Sequence, residues 1–263
     1  MPTPFYHISL AKELLNHNSL SSPARKFLST YQAAFYFGNT APDVQVVSGQ
    51  KREETHFYNI PLDHRTPAWI RMMGRHPELV EATAGDDQRA AYLAGYVCHL
   101  QADLRWLEEI FIPNFGPDGH WSTFSDRLYL HNVLRSYLDL KLIPYLPSGM
   151  DATLLAVKSR AWLPFVDDSD LATWQNFLAR QLQPGARIET VEVFASRQGI
   201  GTEAFYELLE SEEDMNNQVF SILPRQKLAD YRQAVLVENL NFLNNRMEPD
   251  WIRMETTRRI DQT

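Results

Sequence analysis

The sequence predicts an all-α fold, organised as a single-domain multi-helix bundle. Apolar residues recur at spacings of three and four along most of the chain, which is the period of an amphipathic helix. Alternating, strand-like runs are short and scarce, and no linker-like segment divides the 263 residues. We expect one domain over residues 1–248, with a metal-site region over 1–145 and additional packing helices over 146–248. A C-terminal tail would follow over 249–263.

Two helices are predicted at the amino terminus. The first runs from about Tyr6 to Leu15, where apolar residues follow the helical period. The second begins at Ser22, because the proline that follows fits the first turn of a helix, where its missing N–H is not needed. This second helix carries Phe27, Tyr31 and Phe35 on one face.

The helical period breaks down between Gly38 and Pro67. This stretch is rich in Gly, Pro, Asn and Asp, residues that are typical of turns and loops. Long loops in compact domains are often functional. The sequence therefore predicts a long irregular loop with a functional role.

The strongest helix pattern follows this loop. Asp86 or Asp87 is the expected N-cap, and Pro113 marks the latest possible end of the helix. Its broad apolar stripe consists of Leu93, Val97, Leu100, Leu104 and Leu107. Prolines separate the later helices, which are predicted at about Ser122–Leu142, Asp151–Trp162, Asp170–Leu182, Thr202–Leu223 and Arg225–Asn245.

Composition excludes several classes of protein and site. The net charge is −8 and no concentrated basic patch is evident, which argues against broad binding to a nucleic-acid backbone. Cys98 is the single cysteine, so an intramolecular disulfide and a cysteine-based zinc cluster are both excluded. The chain shows neither a signal-peptide pattern nor an integral membrane segment, and we expect it to be cytoplasmic.

The chemistry-bearing residues begin with His99 and Asp103. A spacing of four places both side chains on one face of a helix, one turn apart, where they can bind one metal together. Alone, such a pair more often forms only a hydrogen bond between the two side chains. Asp43 in GNTAPDV and His56 in THFYN supply oxygen and nitrogen ligands of the kinds that suit zinc.

Each of these residues also has a structural interpretation. Asp43 could cap a turn, and His56 could lie on the surface. His7, on the first helix, could be a buried histidine that binds a backbone carbonyl. An aromatic group beside the proposed ligands could line a lipid or base pocket, although core packing is the more common role; it comprises Phe35, Tyr36, Phe37, Phe57 and Tyr58.

Four features of this sequence, taken in chain order, resemble the zinc-dependent phospholipase C family. They are His7, GNTAPD with Asp43, THF with His56, and GYVCHLQAD with His99 and Asp103. The resemblance covers about the first 140 residues. It implies an all-helical fold, which the S1/P1-type nucleases share, and a cluster of up to three zinc ions that cleaves phosphodiesters. It places Asp43, His56, His99 and Asp103 around one zinc and His7 with Asp103 at another, so that Asp103 bridges two ions.

The third zinc position of that family is incomplete in this sequence. His131 is available as a ligand, but Arg135 stands one turn later, where the family has Glu. Glu109, or the more distant His120, could substitute for the missing ligand. A cationic Arg135 would repel a divalent ion, and it could instead bind a substrate phosphate through a bidentate fork.

The resemblance implies a zinc-dependent phosphoric-ester hydrolase with two expected ions. It would cleave a phospholipid headgroup or another small phosphodiester by metal-activated water, with Asp43 as general base and Arg135 stabilising the phosphoryl oxygens. One alternative is an S1/P1-type nuclease. The other is a degenerate family member whose metal is structural.

Overall fold

The computed structural model describes residues 1–62, 65–82, 85–117, 123–186 and 188–246. Within these ranges the chain is helical and contains no β-strand, which confirms the all-α prediction. None of the helices in the described ranges is both long and apolar enough to cross a membrane. The predicted tail over 249–263, and His120, lie outside the described residues.

The amino-terminal segment forms three helices, which are α1 (Pro4–Asn16), α2 (Ser22–Thr30) and α3 (Gln32–Gly38). Thr3 caps α1, because its hydroxyl oxygen accepts a hydrogen bond from the N–H of Tyr6 at 3.3 Å. Tyr31 interrupts the predicted second helix, and α2 and α3 lie on either side of it.

The segment from Gly38 to Pro67 is not the single irregular loop that the sequence predicted. It contains a 3₁₀ turn and two short helices, which are Ala41–Val44, α4 (Gln45–Ser48) and α5 (Arg52–His56). Elements this short are marginal by themselves and depend on tertiary packing. The apolar period therefore gives no signal for them.

The next helices are α6 (Ala68–Arg75), α7 (Glu78–Ala82) and α8 (Asp87–Trp106). Asp86 is the N-cap of α8, as predicted, and accepts a hydrogen bond from the N–H of Arg89 at 2.9 Å. The helical path then continues past the predicted limit at Pro113, through a π-helical turn (Leu107–Phe111) into α9 (Ile112–Phe115). Proline is tolerated there because it lies in the first turn of α9.

The second half of the chain is built from α10 (Phe124–Leu142), α11 (Met150–Leu155), α12 (Asp168–Gln181), α13 (Thr190–Gln198), α14 (Thr202–Glu210), α15 (Glu212–Met215) and α16 (Arg225–Arg246). A 3₁₀ turn at Ile143–Tyr145 follows α10, and a π-helical turn at Asn216–Phe220 follows α15. Helix α13 was not predicted. Ser211 interrupts the predicted helix Thr202–Leu223, because its side chain accepts from the N–H of Asp214 and starts a new helix.

Helices α3 and α8 approach each other unusually closely, and two glycines permit it. A Cβ at Gly38 would lie 1.9 Å from the backbone oxygen of Tyr92, and a Cβ at Gly95 would lie 2.3 Å from that of Phe35. Neither position can therefore hold a larger residue without movement of the backbone. The contact fixes Asn39, directly after α3, against the middle of α8.

The later helices close the fold around α8. The Tyr231 hydroxyl on α16 donates to the carbonyl of Ala102 at 3.0 Å, and the Trp174 indole on α12 donates to the carbonyl of Thr40 at 2.9 Å. Buried hydrophobic side chains form one cluster from Phe5 to Leu243. The aromatic group Phe35, Tyr36, Phe37, Phe57 and Tyr58 belongs to this core, which confirms its core interpretation.

Candidate metal centre

Five chemistry-bearing side chains converge at the centre of the bundle from four separate elements. His7 comes from α1, Asp43 from the 3₁₀ turn, His56 from the last position of α5, and His99 and Asp103 from consecutive turns of α8. All five are buried. The structure therefore brings together residues that lie far apart in the sequence.

The Asp103 carboxylate is the hub of this cluster. Its Oδ1 lies 3.3 Å from Nε2 of His7, and its Oδ2 lies 3.2 Å from Nε2 of His56 and 3.6 Å from Nε2 of His99. Asp43 Oδ1 lies 3.6 Å from the same nitrogen of His56. One carboxylate thus faces three imidazoles, an arrangement that suits a bridging ligand.

Two overlapping groups of these atoms could each hold a metal ion. One consists of His7, His99 and Asp103, and the other of Asp43, His56 and His99, with the ligand atoms of each group within 4.8 Å of one another. His99 belongs to both. The sequence assigned His99 to one ion alone and the shared position to Asp103, which belongs to the first of these two groups only.

Hydrogen bonds on the outer side of two imidazoles orient them toward the centre. Nδ1–H of His99 donates to the carbonyl of Asn39 at 2.8 Å. The Thr55 hydroxyl donates to the carbonyl of Arg52 at 3.3 Å, so it accepts from Nδ1–H of His56 at 2.9 Å. Both rings therefore direct Nε2 toward the centre, the ring nitrogen that a histidine held in this way offers to a metal.

The backbone after His56 adopts a left-handed conformation that ends α5 at this ligand. Phe57 has φ 58° and ψ 26°, and its N–H donates to the carbonyl of Glu53 at 3.2 Å. Such a conformation is unfavourable for a bulky residue and persists where the surrounding packing enforces it. The buried Phe57 ring, packed 5.0 Å from that of Phe165, provides this packing.

The donor atoms fit a bound zinc ion. Both ring nitrogens of His7 and Oδ1 of Asp103 are buried and have no hydrogen-bond partner within the described part of the chain. An unsatisfied buried polar atom costs about 1–3 kcal/mol, and coordination to a cation would remove that cost. The set consists of imidazole nitrogens and carboxylate oxygens, which are common zinc ligands.

Electrostatics hold most of these groups in the protonation states that a metal needs. Burial raises the pKa of Asp103, but the charges of Arg52 and His99 outweigh it and hold that pKa well below its usual range. Burial likewise raises the pKa of Asp43, and hydrogen bonding to His56 and the charge of His99 reverse this to a net lowering. Burial lowers the pKa of His7 to about 4. Ionised carboxylates and a neutral His7 are ligand-competent.

Arg52 contacts both carboxylates of the cluster, although the sequence analysis did not single it out. Arg52, the first residue of α5, forms an ion pair with Oδ2 of Asp103, and its Nη1 lies 3.6 Å from Oδ1 of Asp43. It also donates to the Tyr58 hydroxyl at 3.2 Å. A cation four residues before His56 would have been the signal, but only if residues 52–56 had been recognised as a helix.

His131, which the sequence analysis expected to bind metal, lies outside the two groups. The Trp106 indole N–H donates to its Nε2 at 3.0 Å, so the lone pair of that nitrogen is already engaged. The rings of Phe111 and Phe115 pack 4.9 and 5.2 Å away, and burial lowers the pKa of His131 strongly. Glu109, the other candidate in this region, pairs with Arg105. Neither residue belongs to the ligand set that we propose.

A cavity of about 130 Å³ adjoins the cluster. Asp43 and Arg52 line it on the metal side, and Arg135 also contributes to its wall. The Arg135 guanidinium lies 4.1 Å from the centre of the Phe194 ring and donates to the carbonyl of Met1 at 3.1 Å. Further apolar lining comes from Phe5, Val46, Trp174, Phe177, Leu178 and Val193.

A buried carboxyl group joins the start of α1 to this cavity wall. The Thr3 hydroxyl donates to Oδ1 of Asp139, and the Thr190 hydroxyl donates to its Oδ2 at 2.8 Å. Thr3 caps the helix that carries His7, and Thr190 lines the cavity. Burial raises the pKa of Asp139 to about 7, although both hydrogen bonds and Arg135 lower it in part.

This raised pKa predicts a pH-dependent loss of stability. The folded pKa lies above the unfolded value of 3.8, so the contribution of Asp139 is complete below pH 3.8 and is lost as the pH rises through about 7. Asp139→Asn stays neutral throughout. Between pH 4 and 8, wild type should lose up to about 4 kcal/mol of unfolding free energy relative to this variant.

Urea unfolding of both proteins in the presence of a chelator, from pH 4 to 8, measures that difference. Other titrating groups cancel in the comparison, because both chains share them. A difference that stays constant over this range would show that Asp139 is ionised in the folded protein across the whole interval.

A family model described as zinc dependent phospholipase C matches residues 6–181. The match includes all five clustered residues and extends beyond the first 140 residues to the end of α12. No curated protein and no solved structure matches the chain significantly.

Proposed function

Since the chain belongs to the zinc-dependent phospholipase C family, we propose that it is a zinc-dependent hydrolase that cleaves a phospholipid headgroup or another small phosphodiester. The observation that carries this proposal is the convergence of His7, Asp43, His56, His99 and Asp103 beside a cavity. A purely structural metal would not need an adjoining cavity lined by cations.

The proposed ligand set holds two ions. Asp43, His56 and His99 would bind one, His7 would bind the other, and Asp103 would bridge them. Bound zinc supplies Lewis-acid stabilisation of charge on phosphoryl oxygens and allows water to act as a nucleophile near neutral pH. Both carboxylates are already ionised in the fold, so binding requires no loss of a proton from either.

The protein's own side chains supply the remaining steps. Asp43 lines the cavity, and its lowered pKa keeps the carboxylate ionised, so it can accept a hydrogen bond from the attacking water and orient it. As general base it would take the proton of that water only as the new bond to phosphorus forms, because a carboxylate with a lowered pKa is a weak base. Arg135 presents a planar guanidinium to the same cavity, where it would bind the phosphoryl oxygens and stabilise the charge that grows on them. The stacked Phe194 ring limits the positions that this guanidinium can take.

The cavity also bears on the class of substrate. A volume of about 130 Å³ suits a phosphate with a small polar group better than an acyl chain, which would have to remain outside. The net charge of −8 weighs against an extended nucleic acid, because such a ligand needs a basic groove along its backbone. A small phosphodiester or a lipid headgroup fits both observations.

The decisive experiment combines metal analysis with two substrate assays. We expect two zinc ions per chain by mass spectrometry of the purified protein. We also expect hydrolysis of a phosphocholine ester that stops with a chelator and returns with zinc. In the same assay, Arg135→Gln should lower kcat/KM by about 100-fold while both ions remain bound.

The other outcomes separate the alternatives. Cleavage of single-stranded DNA or RNA in place of the ester would identify an S1/P1-type nuclease. Full zinc occupancy without hydrolysis of either substrate would identify a structural metal. Lys141→Gln removes the same charge from the exposed side of α10, and it serves as the control because Lys141 pairs with Glu212, outside the cavity lining.

A further inference from the structure

Arg52 contacts the same carboxylate oxygen on which the proposed metal ligands converge. Its Nη2 forms an ion pair with Oδ2 of Asp103, and that oxygen also lies 3.2 Å from Nε2 of His56 and 3.6 Å from Nε2 of His99. Its Nη1 faces the second carboxylate, that of Asp43, at 3.6 Å. The guanidinium therefore spans the two acidic ligands of the cluster.

A divalent ion and this guanidinium would oppose each other at close range. Both carry positive charge, and repulsion between charges a few ångströms apart is strong where water is largely excluded. Both also need the same oxygen of Asp103. Binding of one cation should therefore weaken binding of the other.

The Arg52 side chain can adopt a second position within the same site, on the cavity side. Its side chain is 26% exposed and lines the cavity. Its Nε and Nη2 also donate to the Tyr58 hydroxyl at 3.3 and 3.2 Å, a contact that does not involve either carboxylate. A small rotation about this contact would turn the guanidinium from the carboxylates toward the cavity.

On the basis of the metal centre of the proposed function, we propose that Arg52 is an internal competitor for the metal. When zinc binds, the guanidinium leaves Asp103 and turns into the cavity, where it binds an oxygen of the substrate phosphate. The residue thus has two successive partners of the same chemistry, a carboxylate and then a phosphate, both of which suit its bidentate fork.

A fixed structural ion pair would behave differently. If Arg52 stayed on Asp103 in the zinc-loaded protein, its removal would leave a buried carboxylate without a partner and disturb the site. Metal binding would then weaken or stay the same. If Arg52 competes with the metal, its loss should instead raise the zinc affinity, because both the competing cation and its repulsion are removed.

Zinc affinity therefore tests the first part of the proposal. Competition with a chromogenic chelator should show that Arg52→Gln binds zinc at least about tenfold more tightly than wild type, the scale of one charge-assisted hydrogen bond. Lys51→Gln removes the same charge from the neighbouring, exposed residue and should leave the affinity unchanged. An equal or weaker zinc affinity of Arg52→Gln would overturn the competitor role.

A second variant covers the case in which Arg52→Gln does not fold without zinc. Arg52→Lys keeps the charge but lacks the fork that spans two carboxylates. Its zinc affinity should exceed that of wild type by less than the tenfold expected for Gln. An affinity equal to or below that of wild type would again overturn the role.

Inorganic phosphate tests the second part. Calorimetric titration into zinc-loaded protein should give an affinity for phosphate about tenfold weaker in Arg52→Gln than in wild type. Equal affinities would show that the guanidinium does not reach the phosphate. If the wild-type protein binds no zinc, the proposed function itself is refuted. If the wild type binds zinc and Arg52→Gln has the same zinc and phosphate affinities, only the role of Arg52 is refuted.

Discussion

Asp103→Asn is expected to abolish zinc binding and phosphodiester hydrolysis together. The variant keeps the size of the side chain but replaces one carboxylate oxygen with an NH₂ group, which cannot coordinate a cation. Asp103 contacts His7, His56 and His99 as well as Arg52. Outer partners of metal ligands contribute about 10–100-fold to affinity or activity, so a residue shared by the whole cluster should contribute more.

Three measurements on the same samples test this outcome. They are the zinc content after gel filtration, the rate of hydrolysis of the phosphocholine ester, and the helix content by far-ultraviolet circular dichroism. Asp87→Asn is the matched control, since Asp87 lies on the same helix but at its exposed start, bonded to Tyr31. The control should keep its zinc and its activity. An Asp103→Asn protein that retains two ions would refute the bridging role.

Gly95→Ala is expected to destabilise the fold by about 3 kcal/mol, because the added Cβ meets backbone rather than a flexible side chain. That atom would lie 2.3 Å from the carbonyl oxygen of Phe35 and 2.8 Å from the backbone nitrogen of Asn39. Helix α3 must then move away from α8. The movement also pulls the Asn39 carbonyl from Nδ1 of His99, so zinc affinity should fall as well.

Gly74→Ala is the corresponding control. Gly74 lies within α6, and a Cβ at that position would meet nothing within 4 Å. Alanine there should raise stability by about 0.5–1 kcal/mol, since it restricts the unfolded chain and favours the helix. Urea unfolding of the three proteins checks both signs. Equal stability of Gly95→Ala and wild type would mean that α3 and α8 can separate without cost.

The features of this protein that could be predicted are those encoded in short stretches of sequence. The N-cap at Asp86 and the long apolar pattern after it identify α8 and so place His99 and Asp103 on one face. The ordered motifs around His7, Asp43 and His56 belong to residues that the structure brings to the same centre. In each case a short stretch of sequence carries the information.

The unpredicted part depends on tertiary contacts. Helix α5 is too short to leave a periodic signal, so Arg52 remained within a supposed loop although it faces both carboxylates. The sequence offers His131 as a ligand, but in the structure the indole of Trp106 engages its nitrogen. Spacing along the chain cannot reveal which partner a side chain meets across the core.

The hydrogen bond from Trp174 to Thr40 has a consequence for the modularity of the molecule. Thr40 precedes the 3₁₀ turn that carries Asp43, and α12, which carries Trp174, also forms part of the cavity wall. The amino-terminal ligands and the later helices therefore form one structural unit, and the proposed metal centre cannot be separated from α12. A fragment that ended at residue 145 would contain every proposed ligand and still lack the support that positions one of them. Transplanting the centre into another scaffold would require moving α12 with it.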